Sequence, residues 1–292
     1  MNTPEDFNSS HEGATFPTTI EVPDEGPFAG LSPLLGLTLA FVTWAASVLL
    51  LFLPQLFALP YIITHYRGQN PTVEVLLADK TVIVILVAGI LPAHLITLAI
   101  AWAVVTRFGK IAIKNALRWS WDNRVGLAKS VLLGVSLFAA SWLIVLAFGG
   151  KETELERIIN SSRTAALLIA FMAVATAPLV EEIIYRGILF PAWERLTGSV
   201  TAVVIVTLMF AIPHIPQYWP NFAVIFSIMI LSAALTIVRA RTGRLLPCYV
   251  IHLVFNGVQA VLILADPFLR GLGHSPEPTT APAILHSVLG FF

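Results

Sequence analysis

Six polar side chains of the types used in hydrolysis lie inside long apolar segments in the second half of the chain. They are Glu181, Glu182 and Arg186 in APLVEEIIYRGILF, His214 in TLMFAIPHIPQYW, and His252 and Asn256 in PCYVIHLVFNGV. An ionisable group at membrane depth costs at least about 2.5–3.5 kcal/mol on insertion scales, so each one calls for a reason. Two carboxylates, two imidazoles and an amide can together activate a water molecule and stabilise an oxyanion.

Helical spacing indicates how these side chains are arranged. His252 and Asn256 are four residues apart, as are Glu182 and Arg186, so each pair shares one face of its helix. Glu181 points about 100° away from Glu182 and is free to face another group. Polar side chains from three separate segments can therefore approach a common point.

The segments that carry Glu181 and His214 are joined near Thr197–Gly198, a natural turn between two helices. Each of the two side chains lies on the order of 25 Å from that turn, at a rise of 1.5 Å per residue. An antiparallel hairpin therefore places them level with each other. The segment that carries His252 and Asn256 starts from the same side, and its polar residues lie about 12–18 Å along it. We predict that all four side chains share one cavity.

This cavity has the groups that peptide hydrolysis requires. Glu181 is the predicted base that takes a proton from water, and His214 is predicted to hold that water. His252 and Asn256 are predicted to donate hydrogen bonds to the oxyanion. Glu182 is predicted to pair mainly with the arginine four residues further on, which orients the helix and neutralises the second carboxylate.

Each motif taken alone also has a structural interpretation. A Glu-Glu-x-x-x-Arg motif near a helix end is commonly an interfacial charge cluster, and His214 can be a helix-end residue at the outer interface. His252 and Asn256 can link helices by hydrogen bonds. His94, in an apolar segment of the first half, is interpreted as a hydrogen-bonded structural histidine. The combination of the three motifs favours a functional site.

The composition places these segments in a bilayer. Of the 292 residues, 57% are hydrophobic and only 12% are charged, against about 25% in a soluble domain. The mean hydropathy is +0.83. The formal net charge of zero argues against a nucleic-acid-binding domain, and no nucleic-acid partner is expected. Cys248 is the only cysteine, which excludes intrachain disulfides and cysteine-based zinc sites.

Apolar runs of about 20 residues predict the membrane spans. Seven are found, near 34–59, 81–105, 130–148, 164–192, 199–217, 222–238 and 245–265. The first run continues past Pro54 and Pro60, which leaves a kink, an interfacial half or an eighth short element open. We therefore predict an all-α, polytopic transmembrane bundle of seven or eight spans.

Lys and Arg are concentrated in two loops, 106–129 and 239–244, which hold nine of them against six in the opposing loops. Four spans separate these loops, so they lie on one side, and the positive-inside rule makes that side cytoplasmic. We expect a multi-pass integral protein of the plasma membrane. Residues 1–30 hold six acidic residues and no Lys or Arg, and we expect an acidic, disordered tail without a cleavable signal peptide.

Three motifs occur in a fixed order along the chain: Glu181-Glu182-x-x-x-Arg186, Phe210-x-x-x-His214 and His252-x-x-x-Asn256. Together they resemble the signature of the CAAX protease and bacteriocin-processing (Abi) family of intramembrane proteases, to which the Ras-converting CAAX endopeptidase belongs. The resemblance covers roughly residues 160–260. Motifs of other intramembrane proteases, such as His-Glu-x-x-His and Gly-x-Ser-Gly, are missing from the sequence.

The resemblance implies a glutamate-dependent endopeptidase that cuts a lipidated or membrane-tethered peptide in contact with membrane lipid. It also implies a division of the chain. The expected parts are the tail 1–30, N-terminal helices 31–160 with the basic loop 106–129, a CAAX-protease-like catalytic core 161–265 and a C-terminal tail 266–292.

Two questions stay open at this stage. We expect no cofactor, but two histidines and a carboxylate are a known zinc ligand set, and Glu181, His214 and His252 are the candidate ligands. The alternative functions are a catalytically silent scaffold or bacteriocin-immunity protein on the same fold, and a proton-coupled transporter. The absence of a detectable internal repeat argues against the transporter.

Overall fold

A computed structural model of the chain describes residues 26–149 and 153–272, and this part contains helices and no strands. Seven of its helical segments are long and apolar enough to cross a membrane. They are Pro33–His65, Lys80–Thr106, Leu127–Phe148, Arg163–Thr197, Ser199–Tyr218, Phe222–Thr242 and Leu246–Ala265. We number these spans one to seven. The predicted all-α transmembrane bundle is confirmed, with seven spans.

The first three spans contain few interruptions. The first is divided at Leu51–Phe52 into two helices, because Pro54 in the following turn has no N–H to donate. The remaining short helices of this half lie in the connections. The elements are α1 (Pro33–Leu50), α2 (Leu53–His65), α3 (Val73–Ala78), α4 (Lys80–Thr106), α5 (Ile113–Ala116) and α6 (Leu127–Phe148).

Two of the last four spans are irregular. The fourth changes its helix type twice, and the fifth is interrupted by a 3₁₀ turn over Ile212–His214 before its last turn, Ile215–Tyr218. The elements are α7 (Glu154–Ser161), α8 (Arg163–Ala175), α9 (Ala177–Glu181), a π-helix (Glu182–Leu189), α10 (Phe190–Thr197), α11 (Ser199–Ala211), α12 (Ile215–Tyr218), α13 (Phe222–Thr242) and α14 (Leu246–Leu272). Helix α14 packs against α6 and α8, and α11 packs against α13.

Gly134 of α6 sets the position of α14. A Cβ atom at this position would lie 2.8 Å from the Ile251 carbonyl oxygen and 2.9 Å from Val254 Cβ. Only a glycine therefore allows the two helices to approach this closely. Because Ile251 precedes His252, this contact also sets the depth of the histidine in the bundle.

The two basic loops touch each other. The backbone N–H of Leu245 donates to the Arg118 carbonyl at 3.3 Å, and Arg239 Nη1 donates to the Leu117 carbonyl at 3.4 Å. The two loops therefore lie on the same face of the bundle, which confirms that part of the topology prediction.

The described residues include positions 26–30, which belong to the predicted N-terminal tail. Residues 1–25 of the predicted tail lie outside the described residues, but Phe28 is buried with 2% exposure. Arg107 and Arg195, both near the face with the basic loops, donate to backbone carbonyls of residues 27–31. At the other end, α14 continues past residue 265 to Leu272, and residues 273–292 of the predicted C-terminal tail lie outside the described residues.

We predict that a cysteine in place of Lys114 reacts with membrane-impermeant maleimide only after the cells are opened. Lys114 is exposed in the basic loop 106–129, and the native Cys248 is buried, so background labelling is low. A cysteine in place of Gln69, exposed in the loop before the second span, is the matched control and should react in intact cells. The reverse pattern would show that the orientation is inverted.

Candidate active site

A cavity of about 210 Å³ lies among the second, fourth, fifth, sixth and seventh spans. Glu181, His214, His252 and Asn256 all line it. The predicted shared cavity is therefore present, although it is formed by more spans than the expected fourth, fifth and seventh. The chemical roles assigned to the four side chains remain predictions.

His252 is placed between the two glutamates. Its Nδ1 atom lies 2.9 Å from Glu182 Oε1, and its Nε2 atom lies 3.6 Å from Glu181 Oε2. Because a carboxylate accepts and does not donate, Glu182 fixes the proton on Nδ1 and directs Nε2 towards Glu181 and the cavity. The spacing predicted different partners for the two carboxylates, whereas they meet opposite sides of one imidazole.

This contact also fixes the depth of the fourth span relative to the seventh. His252 is only six residues from the start of α14, whereas Glu182 is fifteen residues from the end of the fourth span at Thr197. The fourth span must therefore extend beyond the start of α14, on the side of the basic loops, by roughly 10 Å at helical rises.

Glu182 and Arg186 form a fully buried ion pair. Arg186 Nη1 donates to Glu182 Oε1 at 2.9 Å, and both side chains have 0% exposure. The guanidinium also donates to the sixth span: Nε to Thr236 Oγ1 at 3.2 Å, and Nη2 to Ser232 Oγ at 2.8 Å and to the Ser232 carbonyl at 3.0 Å. The predicted pairing is present, and the sixth span contributes two partners that the sequence analysis did not identify.

The missed residues have only a weak signal in the sequence. Ser232 and Thr236 are four residues apart in SAALT and therefore share one helix face. Small hydroxyl residues are common in apolar helices, where they bond to their own backbone, so this spacing alone does not indicate a partner. Thr236 Oγ1 does donate to the Ser232 carbonyl, at 2.7 Å.

Phe210 connects the arginine to the histidines. The Arg186 guanidinium carbon lies 4.7 Å from the Phe210 ring centroid, and the His214 ring stacks on the same side chain at 4.9 Å. The His252 ring meets it edge-on at 6.0 Å. The aromatic residue of the second motif thus sets the relative positions of three polar groups.

His214 has its Nδ1 atom 2.8 Å from the Phe210 carbonyl oxygen. Because a carbonyl only accepts, Nδ1 carries the proton, and Nε2 of the neutral ring is left as an acceptor. The 3₁₀ turn that carries His214 is caused by Pro213 and Pro216, which cannot donate to an α-helical ladder. A histidine with a free acceptor nitrogen is suited to hold a water molecule.

Asn256 is oriented by the fourth span. Its Nδ2 atom donates to the Ala173 carbonyl at 3.0 Å, and Ala173 also lines the cavity. A carboxamide has two N–H donors, so the second remains available for another acceptor. The contact also fixes which side of the carboxamide carries the nitrogen.

The fourth span changes to a π-helix at Glu182 and keeps that form to Leu189, and all eight of these residues are buried. A π-helix turns more widely than an α-helix and is frequent at functional sites. Here it contains both members of the buried ion pair. The motifs and helical spacing of this segment did not predict it.

His94, interpreted as a structural histidine, has the expected hydrogen bond: Nδ1 lies 2.8 Å from Thr176 Oγ1. It also lines the cavity with Glu181 and His214. A second cavity, of about 150 Å³, shares these three side chains and extends towards Val48 and Leu51 of the first span. His94 and Glu181 therefore both line the two cavities.

The candidate zinc ligands are Glu181, His214 and His252. Among the residues that the structure describes, no group of three or more His, Cys, Asp or Glu side chains is arranged to hold a metal ion. Glu181 Oε2 and His252 Nε2 lie 3.6 Å apart, a separation that two ligands of one tetrahedral zinc ion can have. His214 is not grouped with this pair in a three-ligand set, and no chemical step is assigned to a metal.

The fold and the cavity define a polytopic membrane protein with a glutamate–histidine site at membrane depth. Residues 163–258 match the family model described as Rce1-like, type II CAAX prenyl endopeptidase Rce1-like. This match confirms the resemblance based on the three motifs and supports a CAAX-type intramembrane endopeptidase at the level of the family. No curated protein and no solved structure matches the chain.

Proposed function

We propose that the protein is an intramembrane endopeptidase that uses water activated by Glu181 to hydrolyse a peptide bond of a lipidated or membrane-tethered substrate. The observation that carries the proposal is the convergence of Glu181, His214, His252 and Asn256 on one cavity inside the bundle. The side chain of Glu181 is 25% exposed, which gives the carboxylate access to water and to substrate.

The proposed reaction has two steps and needs no covalent acyl-enzyme. Water held by His214 Nε2 transfers a proton to Glu181 as its oxygen attacks the carbonyl carbon of the substrate. The C=O π electrons move to the oxygen, which becomes an oxyanion. When the tetrahedral intermediate collapses, the C–N bond breaks and Glu181 returns its proton to the leaving amine.

The hydrogen-bond donors to the oxyanion are assigned to the seventh span. The second N–H of Asn256 donates to the oxyanion, with the Ala173 carbonyl holding the carboxamide in place. His252 donates from Nε2 when its ring carries both protons, and the bond from Nδ1 to Glu182 holds the ring at the required angle. Glu182 and Arg186 act in this scheme as positioning residues.

The substrate class is proposed from the family match and from the location of the site. A site between spans is reached most easily by a peptide that is itself anchored in the membrane. The test is incubation of the purified protein, in liposomes, with a peptide that carries a farnesylated cysteine near its C-terminus. Cleavage at one bond, detected by mass spectrometry, supports the proposal, and intact peptide with correctly folded protein contradicts it.

We predict that exhaustive treatment with a chelator leaves this cleavage unchanged. The reason is that every catalytic step above is assigned to side chains. The measurement is the cleavage rate before and after chelation, together with elemental analysis of the purified protein. Loss of activity that returns on addition of zinc would contradict the mechanism and restore the zinc alternative.

We predict that Asn256→Ala lowers kcat by about 10²–10³-fold, because one oxyanion donor is lost. KM should change little, since this bond forms only in the transition state. Asn256→Asp, which has the same size and lacks a donor when ionised, should have a similar effect. An Asn256→Ala enzyme with wild-type kcat would show that the carboxamide only links the seventh span to Ala173.

A further inference from the structure

We propose that Gln259 is a substrate-positioning residue that binds a backbone peptide group of the substrate. This inference rests on the proposed peptidase function and extends it to a site outside the catalytic groups. Gln259 lies beyond residues 163–258, the segment that matches the family model. None of the three sequence motifs includes it.

The first observation is an unpaired polar atom. Gln259 is 2% exposed, and its Nε2 atom has no hydrogen-bond partner among the residues that the structure describes. Leaving a buried donor unsatisfied costs about 1–3 kcal/mol, so a native protein seldom keeps one without a reason. Gln259 lines the same cavity as Glu181 and His252, which places its side chain beside a molecule bound there.

The second observation is the position of Gln259 on its helix. His252, Asn256 and Gln259 follow one another at intervals of four and three residues and all line the cavity. They form one polar stripe along α14, and Gln259 is its end. The stripe rises about 10 Å from His252 to Gln259. An extended peptide covers about 3.3 Å per residue, so Gln259 is within reach of a backbone group about three residues from the bond that is cut.

The chemistry of the cavity selects the ligand group. A carboxamide donates and accepts, and a peptide group offers the complementary C=O and N–H, so the match holds whichever way the amide is turned. No Lys or Arg side chain is among the described residues that line the cavity. A substrate carboxylate buried beside Gln259 would therefore have no Lys or Arg counter-charge in the cavity, which argues for an internal peptide group instead of a free C-terminus.

The surroundings of Gln259 are apolar. The next residue, Ala260, and Ile263 belong to a buried cluster with Ile169 and Met172 of α8. Ile169 and Met172 also line the cavity. A backbone group bound here would have apolar side chains on both sides, where a hydrogen bond is stronger than in water.

The test uses Gln259→Met, which has nearly the same size and shape and no amide. We expect KM for the farnesylated peptide to rise about 3- to 10-fold, the effect of one lost hydrogen bond, with kcat unchanged. The unfolding temperature should stay the same or rise, because an unsatisfied donor has been removed. A lower unfolding temperature with an unchanged KM would show that Gln259 has only a structural role and would overturn the proposal.

Thr207→Val is the matched control. Thr207 is also buried, its Oγ1 atom has no partner within the described part of the chain, and it does not line the cavity. Its replacement should leave KM and kcat at wild-type values. An equal rise in KM in both variants would mean that any buried substitution disturbs binding, which would contradict a specific role for Gln259.

An ester in place of one peptide bond locates the contact. The ester is placed at successive positions of the substrate. Binding to the wild type should weaken at one position, about three residues from the bond that is cut. Gln259→Met should be less sensitive to the ester at that position, because the ester weakens the carbonyl acceptor of the bond that the substitution removes. A C-terminally amidated peptide should bind as well as the free acid. Loss of binding on amidation would show that a carboxylate is recognised and would overturn the proposed ligand group.

Peptide binding to the Glu181→Gln variant, which is expected not to cut the peptide, separates this inference from the proposed function. The probe is the same farnesylated peptide, and the measurement is its Kd with and without Gln259→Met. A Kd that rises about 3- to 10-fold supports the subsite even if the wild type proves unable to cut the peptide. An equal Kd overturns the subsite and leaves the peptidase proposal standing.

Discussion

Glu181→Gln is expected to lower turnover by about 10²–10⁴-fold, because it removes the general base and keeps the shape of the side chain. Glutamine can occupy the same position beside His252, whose Nε2 lies 3.6 Å from the carboxylate in the native protein. The fold should therefore persist, since the side chain is partly exposed and takes no part in the buried ion pair. The measurement is kcat for the farnesylated peptide in liposomes.

The matched control is Glu194→Gln, a change of the same kind on the same span. Glu194 lies near the turn after the fourth span and accepts a hydrogen bond from Ser199, away from the cavity. The turnover of Glu194→Gln should equal that of the wild type. Unchanged turnover in Glu181→Gln would exclude Glu181 as the base, whereas equal losses in both variants would indicate a general effect of removing charge.

Glu182→Gln is expected to act on folding, with a destabilisation of about 3–5 kcal/mol. The change leaves the Arg186 guanidinium, which has 0% exposure, without its counter-charge at the centre of the bundle. The serine and threonine partners on the sixth span satisfy donors but bring no charge. The measurement is the unfolding temperature and the yield of monodisperse protein.

The double variant Glu182→Gln with Arg186→Met separates stability from catalysis. Replacing a buried ion pair by neutral groups of similar volume is often close to neutral, so much of the lost stability should return. Turnover should remain below that of the wild type, because Phe210 loses its cation partner and His252 loses the carboxylate that holds its ring. Full recovery of turnover together with stability would show that the pair has no influence on the site.

The sequence determined that the chain lies in a bilayer, where its spans are, and which four motif residues share the cavity. Hydropathy is a local property that accumulates over about 20 residues, so the seven spans could be placed without knowing their neighbours. The depth of Glu181 and His214 also followed from counting residues from the turn at Gly198, because helical rise is nearly constant. The four motif residues accordingly line one cavity.

The tertiary structure decided which atoms meet. His252 contacts both glutamates, and Arg186 bonds to Ser232 and Thr236, because neighbouring helices are rotated and shifted to fit one another. These rotations depend on close packing, as at Gly134, and on the π-helix from Glu182, and neither has a local signature in the sequence.

The same limit explains the two residues that the sequence left without a role in the site. His94 stands alone in an apolar segment, where it has no polar helical neighbour to suggest a partner. Gln259 continues the stripe of His252 and Asn256, but it lies outside the motif that these two residues form. Only the packed bundle brings both of them to the cavity with Glu181. A motif within one helix is visible because 3.6 residues complete a turn, whereas a contact between helices depends on the complete set of side chains that separates their axes.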